Sequence, residues 1–301
     1  MSKNFVGASA VTVFLSQALA VFGTPAASKS RVLSEIAFAS VLIQWIVLIH
    51  ASGILGNQRT EKYFDLTGAC TFFSLILWSI KSAGLDVLST RQQFASVGVL
   101  IWCTRLGYFL FSRSLHEGGI DSRFTEVKKN LYRFATFWTI QGMWVFLVAL
   151  PVFMLNATEP PDDDSLGPLG WAGLLLWVAG FALEVVADEQ KRSWRHRKGN
   201  HNRFIDSGLW AISRHPNYFG EICVWIGMYL LCFGGYVSVA QKVLGLLSPL
   251  FTFLLLVFVS GVPLLEKAAD KRWHEDAHYK AYKQKTPVLV PLIGRKGNAI
   301  F

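Results

Sequence analysis

Apolar runs of about 17 to 25 residues recur along this chain, and a run of that length has few options, because it matches the ~30 Å hydrocarbon layer of a bilayer when coiled as a helix. Within lipid only a helix or a closed barrel satisfies its own backbone hydrogen bonds. The runs fall at 5–23, 36–55, 64–80, 94–111, 134–155, 169–186, 218–238 and 243–264. They predict an all-α fold: a polytopic transmembrane helical bundle of seven spans, or eight if the first run is retained, followed by a short charged tail. Lys3, the apolar stretch to Gly23 and the small residues Thr24, Pro25, Ala26 and Ala27 fit a cleavable signal as well as a span, and the span is the preferred reading. With 52% of residues apolar and 16% charged, a water-soluble globule would expose too much apolar surface. Residues 1–32 are read as an N-terminal apolar segment and 33–301 as one membrane-embedded domain, since no repeat or long linker divides them. Cys70, Cys103, Cys223 and Cys232 all lie in apolar segments, where a small hydrophobe is at home and a disulfide framework is not expected.

The formal charge of +9 does not imply nucleic acid, because no basic stretch carries a binding motif. In a membrane protein basic residues gather in loops on one side and face anionic lipid headgroups. The loop 157–168 holds Glu159, Asp162, Asp163 and Asp164 without a Lys or Arg, so it is expected away from the cytoplasm. Counting outward from it places 23 of the 29 Lys and Arg on one side. That side, with the C-terminus, is expected to be cytoplasmic, and the endoplasmic reticulum is a candidate membrane.

Chemistry concentrates in the last third. Glu184, Asp188, Arg192 and Arg195 recur at intervals of four, four and three, which puts them on one helix face. Arg197, Lys198 and Arg203 follow. Such a cluster either touches lipid headgroups or binds the phosphates of a nucleotide-like ligand through guanidinium pairs. Next comes SRHPNYFGE, in which Pro216 suits the first turn of a helix, so that Asn217 and Glu221 lie one turn apart at the end of a span. An ionisable group there is costly unless it faces a polar cavity or a partner, and the default inference is a site. The tail contains HEDAH, formally the H-E-x-x-H zinc signature. The 23 residues after His278 offer no His, Asp or Glu as a third ligand, and Lys271, Arg272 and Lys280 would repel a cation, so no metal is expected. The glycines of LGPLGWAGLLLWVAG lack the dinucleotide-loop spacing and suit close helix packing in lipid.

The run NYFGEICVWIGMYL resembles the cofactor-binding helix of the steroid 5α-reductase family. FSRSLHEGGIDSRF, FWTIQGMWVFLVALPV, EVVADEQKRSWR and the ending WHEDAHYKAYKQKTPVLVPLI extend the resemblance to a subgroup of small reductase-like membrane proteins, over roughly residues 60 to 292. The resemblance implies an NADPH-dependent double-bond reductase acting on a hydrophobic, lipid or sterol-like substrate, with NADH left open. It implies that Asn217 and Glu221 bind the nicotinamide carboxamide and the adjoining ribose, with Tyr218 in the same set. Arg195 and Arg203 would hold phosphates, Asp188 would join their polar network, and Tyr279 and Tyr282 would lie near the adenine end or a cytoplasmic lid. Reduction of a conjugated double bond also needs a donor where negative charge develops. Asp65 in EKYFDLTGA and Tyr108 in WCTRLGYFLF are the candidate catalytic residues. The structural alternative makes Arg105 one half of a buried pair with an acid from another span and Tyr108 an interface anchor. RHPNYFGE also satisfies the RHPxYxG pattern of isoprenylcysteine-type methyltransferases, which use S-adenosylmethionine. A lipid- or sterol-binding protein without turnover is the third reading.

Overall fold

A computed structural model describes residues 2–23, 30–54, 59–116, 121–160, 165–200 and 202–293, and among these every regular element is helical. The helices are α1 (Ser2–Gly23), α2 (Ser30–Ala51), α3 (Phe64–Ala83), α4 (Thr90–His116), α5 (Leu131–Asn156), α6 (Gly167–His196), α7 (Pro216–Phe233), α8 (Val239–Gly245), α9 (Leu247–Leu254), α10 (Val262–Trp273) and α11 (Ala277–Lys285). Six stretches are long and apolar enough to cross a membrane: Arg31–Ala51, Phe64–Ala83, Thr90–Leu115, Leu131–Asn156, Gly167–His196 and Val239–Trp273. They coincide with six of the eight apolar runs. Val11–Gly23 is a shorter apolar helix, and α7, with 18 residues and Glu221 in its second turn, is not among the six. The acidic residues 162–164, on which the orientation rests, lie outside the described residues, as do residues 24–29 and 294–301.

The chain divides into two compact units, residues 1–171 with 229–248, and residues 172–228 with 249–301. In the first unit α5 is the axis, with α1, α2, α3 and α4 packed on it and α3 packed on α4. Asn130 caps α5 by accepting a hydrogen bond from the Arg133 amide, and the helix is buried almost throughout from Phe134 to Asn156. Several polar side chains inside this apolar packing are neutral and donate to one another. Gln44 Nε2 donates to Thr71 Oγ1 at 2.9 Å, and Asn156 Nδ2 to Ser79 and Ser96 at 2.9 and 3.0 Å. Gln241 Nε2 donates to Thr158 Oγ1 at 2.8 Å. Arg91 is a buried cation that donates to the carbonyls of Leu231, Leu166 and Ser165. The turn after α7 is Gly234–Ser238, and Ser238 with Gln241 forms a capping box that opens α8. Residues 239–242, which separate the last two apolar runs, are therefore helical, because Gly234 and Gly235 interrupt the chain earlier than hydropathy alone indicates.

In the second unit glycines set the approach of α6 to α7. A Cβ on Gly220 would stand 2.7 Å from the Gly180 carbonyl and the Glu184 amide, and one on Gly227 would stand 2.5 and 2.6 Å from Trp177 N and Gly173 O. These contacts are with backbone, which cannot yield, so the two helices touch main chain to main chain, as small residues permit in lipid. The glycines expected to serve packing include Gly173 and Gly180, and they do so. After α9 the last span passes through a π-helical turn, Leu255–Val259, and a break at Ser260 and Gly261 before α10, which carries Pro263 in its first turn. Asp276 then caps α11 by accepting from the amides of His278 and Tyr279.

Candidate functional site

The richest polar cluster of the second unit lies where α7 begins. Pro216 occupies the first helical position, as its missing N–H and fixed φ favour. This start puts Asn217 opposite Asp188 of α6, and Asn217 Nδ2 donates to Asp188 Oδ1 at 3.0 Å. Asp188 is buried, and Glu184 lies buried one turn before it on the same helix. With its amide nitrogen committed, Asn217 presents Oδ1, which is buried and has no hydrogen-bond partner among the described residues. A buried acceptor left open is costly unless a ligand or water fills it. Glu221, one turn on, is half-buried. Tyr218 stacks on His215, with ring centroids 5.5 Å apart.

His215 begins a second layer. Its Nε2 lies 3.0 Å from Glu266 Oε1 on α10, and Glu266 also takes Arg214 at 3.5 Å and Lys283 at 3.1 Å. Lys283 and Tyr279 both reach Asp270 Oδ1, at 2.6 and 2.9 Å. Burial pushes the His215 imidazole below its usual value, and the Glu266 carboxylate only partly offsets that. Burial, with the Asp270 acceptor, raises the Tyr279 phenol, and burial raises that of Tyr282. Tyr282 donates to the Trp210 carbonyl at 2.7 Å, and the tail is tied back by Arg214 N to Pro287 O and by Ser213 Oγ to Leu289 O. Trp210 in turn donates to Ala187 O of α6 and carries Lys191 over its ring.

The structure thus brings Asp188 and Asn217 into contact, with Tyr218 and Glu221 on the same short helix segment. Tyr279 and Tyr282 belong to the second layer. Arg195 and Arg203 are exposed at the end of α6 and in the loop beyond it. The two histidines of HEDAH go to separate carboxylates, His274 to Glu275 and His278 to Asp206. Glu266, Asp270 and Lys283 carry this layer and are absent from the sequence-based set. The signal was available for Glu266, an ionisable group at the end of an apolar run, but its partner His215 lies 51 residues upstream.

Asp65 and Tyr108 belong to the first unit. Asp65 accepts from Arg123 Nη2 with both oxygens, at 3.2 and 3.0 Å, and Arg123 also binds Asp121. Despite burial, the hydrogen bond and charge of Arg123 lower the Asp121 pKa, and the two carboxylates raise that of Arg123. Asp65 also lines a cavity of about 30 Å³ with Trp102, Gln141 and Trp144. Tyr108 is 71% exposed on α4. Asp65 is therefore held by Arg123, a partner the sequence reading did not name, and exposure fits the anchor alternative for Tyr108.

These features define a class, the helical multi-pass membrane proteins with a polar cluster at the start of a late, glycine-packed helix. The family described as "Protein of unknown function (DUF1295)" matches residues 54–286, and the chain belongs to it, a steroid 5α-reductase-like family. An uncharacterised protein of Schizosaccharomyces pombe is 23% identical over 234 residues, 69% of this chain and 65% of that protein. The 3-oxo-5-alpha-steroid 4-dehydrogenase 1 of Macaca fascicularis is 26% identical over 132 residues, 44% of each chain. The matches thus span less than two thirds of either relative's own length. No solved structure matches.

Proposed function

We propose that this protein is a membrane-embedded, NADPH-dependent reductase of a conjugated carbon–carbon double bond in a lipid or sterol-like substrate. The observation that carries the reading is the Asp188–Asn217 pair, which leaves Asn217 Oδ1 buried and open at the position where the family resemblance expects a nicotinamide carboxamide. A carboxamide N–H would satisfy that acceptor, so the residues present fit the group. When bound, NADPH supplies the hydride. Asn217 orients the carboxamide, Glu221 accepts from the adjoining ribose, and Tyr218 belongs to the same set. Asp188 fixes the Asn217 amide, Arg195 and Arg203 hold phosphates, and Tyr279 and Tyr282 border the adenine end. One proton must reach the carbon next to the one that receives hydride, and Asp65 and Tyr108 are its proposed donors. In this reading α1 and α7 are further spans, the C-terminus is cytoplasmic, and the membrane is that of the endoplasmic reticulum.

The test is NADPH titration of the purified protein in lipid nanodiscs. Saturable binding is expected, lost in Glu221→Ala and weakened strongly in Arg195→Ala, with Arg195→Lys failing to restore it because a planar fork is replaced by a point charge. Binding of S-adenosylmethionine with no binding of NADPH would overturn the proposal.

A further inference from the structure

The cavity beside Asp65 has a polar wall of a particular kind. It lies among α3, α4 and α5, with Phe72, Trp102 and Trp144 as aromatic walls and Asp65, Gln141 and the Cys103 thiol among its polar groups. Phe72 meets Trp102 and Trp144 edge to face, at 5.2 and 4.9 Å between centroids, which makes the walls rigid. Gln141 is only 6% exposed. Its Nε2 donates to the Phe64 carbonyl at 3.0 Å. Gly68 makes room for that amide, since a Cβ there would stand 2.8 Å from Nε2. The amide orientation is thereby fixed, because turning it over would set two oxygens against each other. Gln141 Oε1 is left buried without a hydrogen-bond partner among the described residues. Asp65, elsewhere on the wall, is held at both oxygens by Arg123.

We infer that this cavity is a binding site for the hydroxyl end of a membrane-soluble alcohol, with Gln141 Oε1 as the atom that recognises it. A hydroxyl donates, and an open amide oxygen needs a donor. A ketone or ester carbonyl offers only acceptors, so it would leave Oε1 unpaired. The size agrees, since about 30 Å³ admits a hydroxyl and the carbon that bears it, while the rest of the molecule stays outside the cavity. The inference concerns the first unit alone and does not depend on hydride chemistry.

The experiment uses the full chain in nanodiscs and two matched pairs of radiolabelled probes that differ only at the polar end, cholestanol against cholestanone and hexadecanol against hexadecanal. Saturable binding of at least one alcohol is expected, about tenfold tighter than its carbonyl partner, in line with the penalty for one unpaired buried acceptor. Gln141→Met, which keeps length but removes the acceptor, is expected to bring the two members of that pair within about threefold. Absence of saturable binding by both alcohols would overturn the inference, as would equal or tighter binding of the carbonyl compounds by the unaltered protein. So would full discrimination in Gln141→Met. The comparison in the unaltered protein stands even where the variant does not fold. NADPH binding is measured on the same samples, so a failure of the reductase reading is seen separately.

Discussion

The two units each hold a polar cluster, and the two clusters are built from different chemistry. In the first, neutral amides pair with hydroxyls inside the bundle, as Gln44 does with Thr71 and Asn156 with Ser79 and Ser96. In the second, charged groups from distant parts of the chain converge on one carboxylate, as His215, Arg214 and Lys283 do on Glu266. Neutral pairs are cheap to bury and indifferent to pH. A charged cluster is expensive to bury and collapses when one member is removed, but it can fix the start of α7 against α10 and α11 with a stiffness that apolar packing alone does not give. The cluster sits beside the residues proposed to hold a coenzyme, where such stiffness has a use.

The contrast can be broken at several points. The largest effect is expected from Gly227→Leu, because the new side chain meets Trp177 N and Gly173 O, which are backbone. Overpacking of this kind costs about 3 kcal/mol or more, and faster hydrogen exchange across α6 and α7 would record it. Next is Glu266→Gln. It leaves three cationic or protonatable groups without their shared carboxylate, at about 2 kcal/mol, less than for a fully buried pair because the side chain is 20% exposed. Exchange should rise in residues 210–215 and 277–289 while the first unit is unchanged. Asn156→Leu in the first unit should cost only about 1 kcal/mol, since hydrogen bonds within membranes contribute modestly. Thermal melts would show whether that ordering holds.

The smallest effect is the response to pH, and it separates the two chemistries most cleanly. The folded pKa of His215 lies below its ordinary 6.5. Between the two values the unfolded chain therefore binds more protons than the folded one. The stabilisation is complete above pH 6.5 and is lost as pH falls through the folded value. Exchange around His215 should accelerate on acidification, whereas exchange around Asn156 should stay flat over the same range. A flat profile at both places would remove the contrast.

The helical membrane class was legible because hydrocarbon thickness imposes one length on every span, and six of the eight runs meet it in the structure. The start of α7 was legible from Pro216, since a residue without an N–H has few places to sit. Glycines were read as packing residues, but the pairing of Gly180 with Gly220 and of Gly173 with Gly227 was not, because it depends on the rotation of two helices about their axes. The same obstacle hid Glu266 and Arg123. Ion pairs that join residues 51 and 58 positions apart leave no local trace in a sequence, and the amide of Gln141 reads as one more polar residue until its nitrogen is seen to be occupied.

Arg91 has a consequence for how the molecule is made. Its guanidinium holds carbonyls that lie up to 140 residues further along the chain. Until the ribosome has delivered Leu231, that cation lacks one of its three anchors within an apolar bundle. The first unit is therefore sealed late in synthesis, by a side chain that was among the earlier ones to be made.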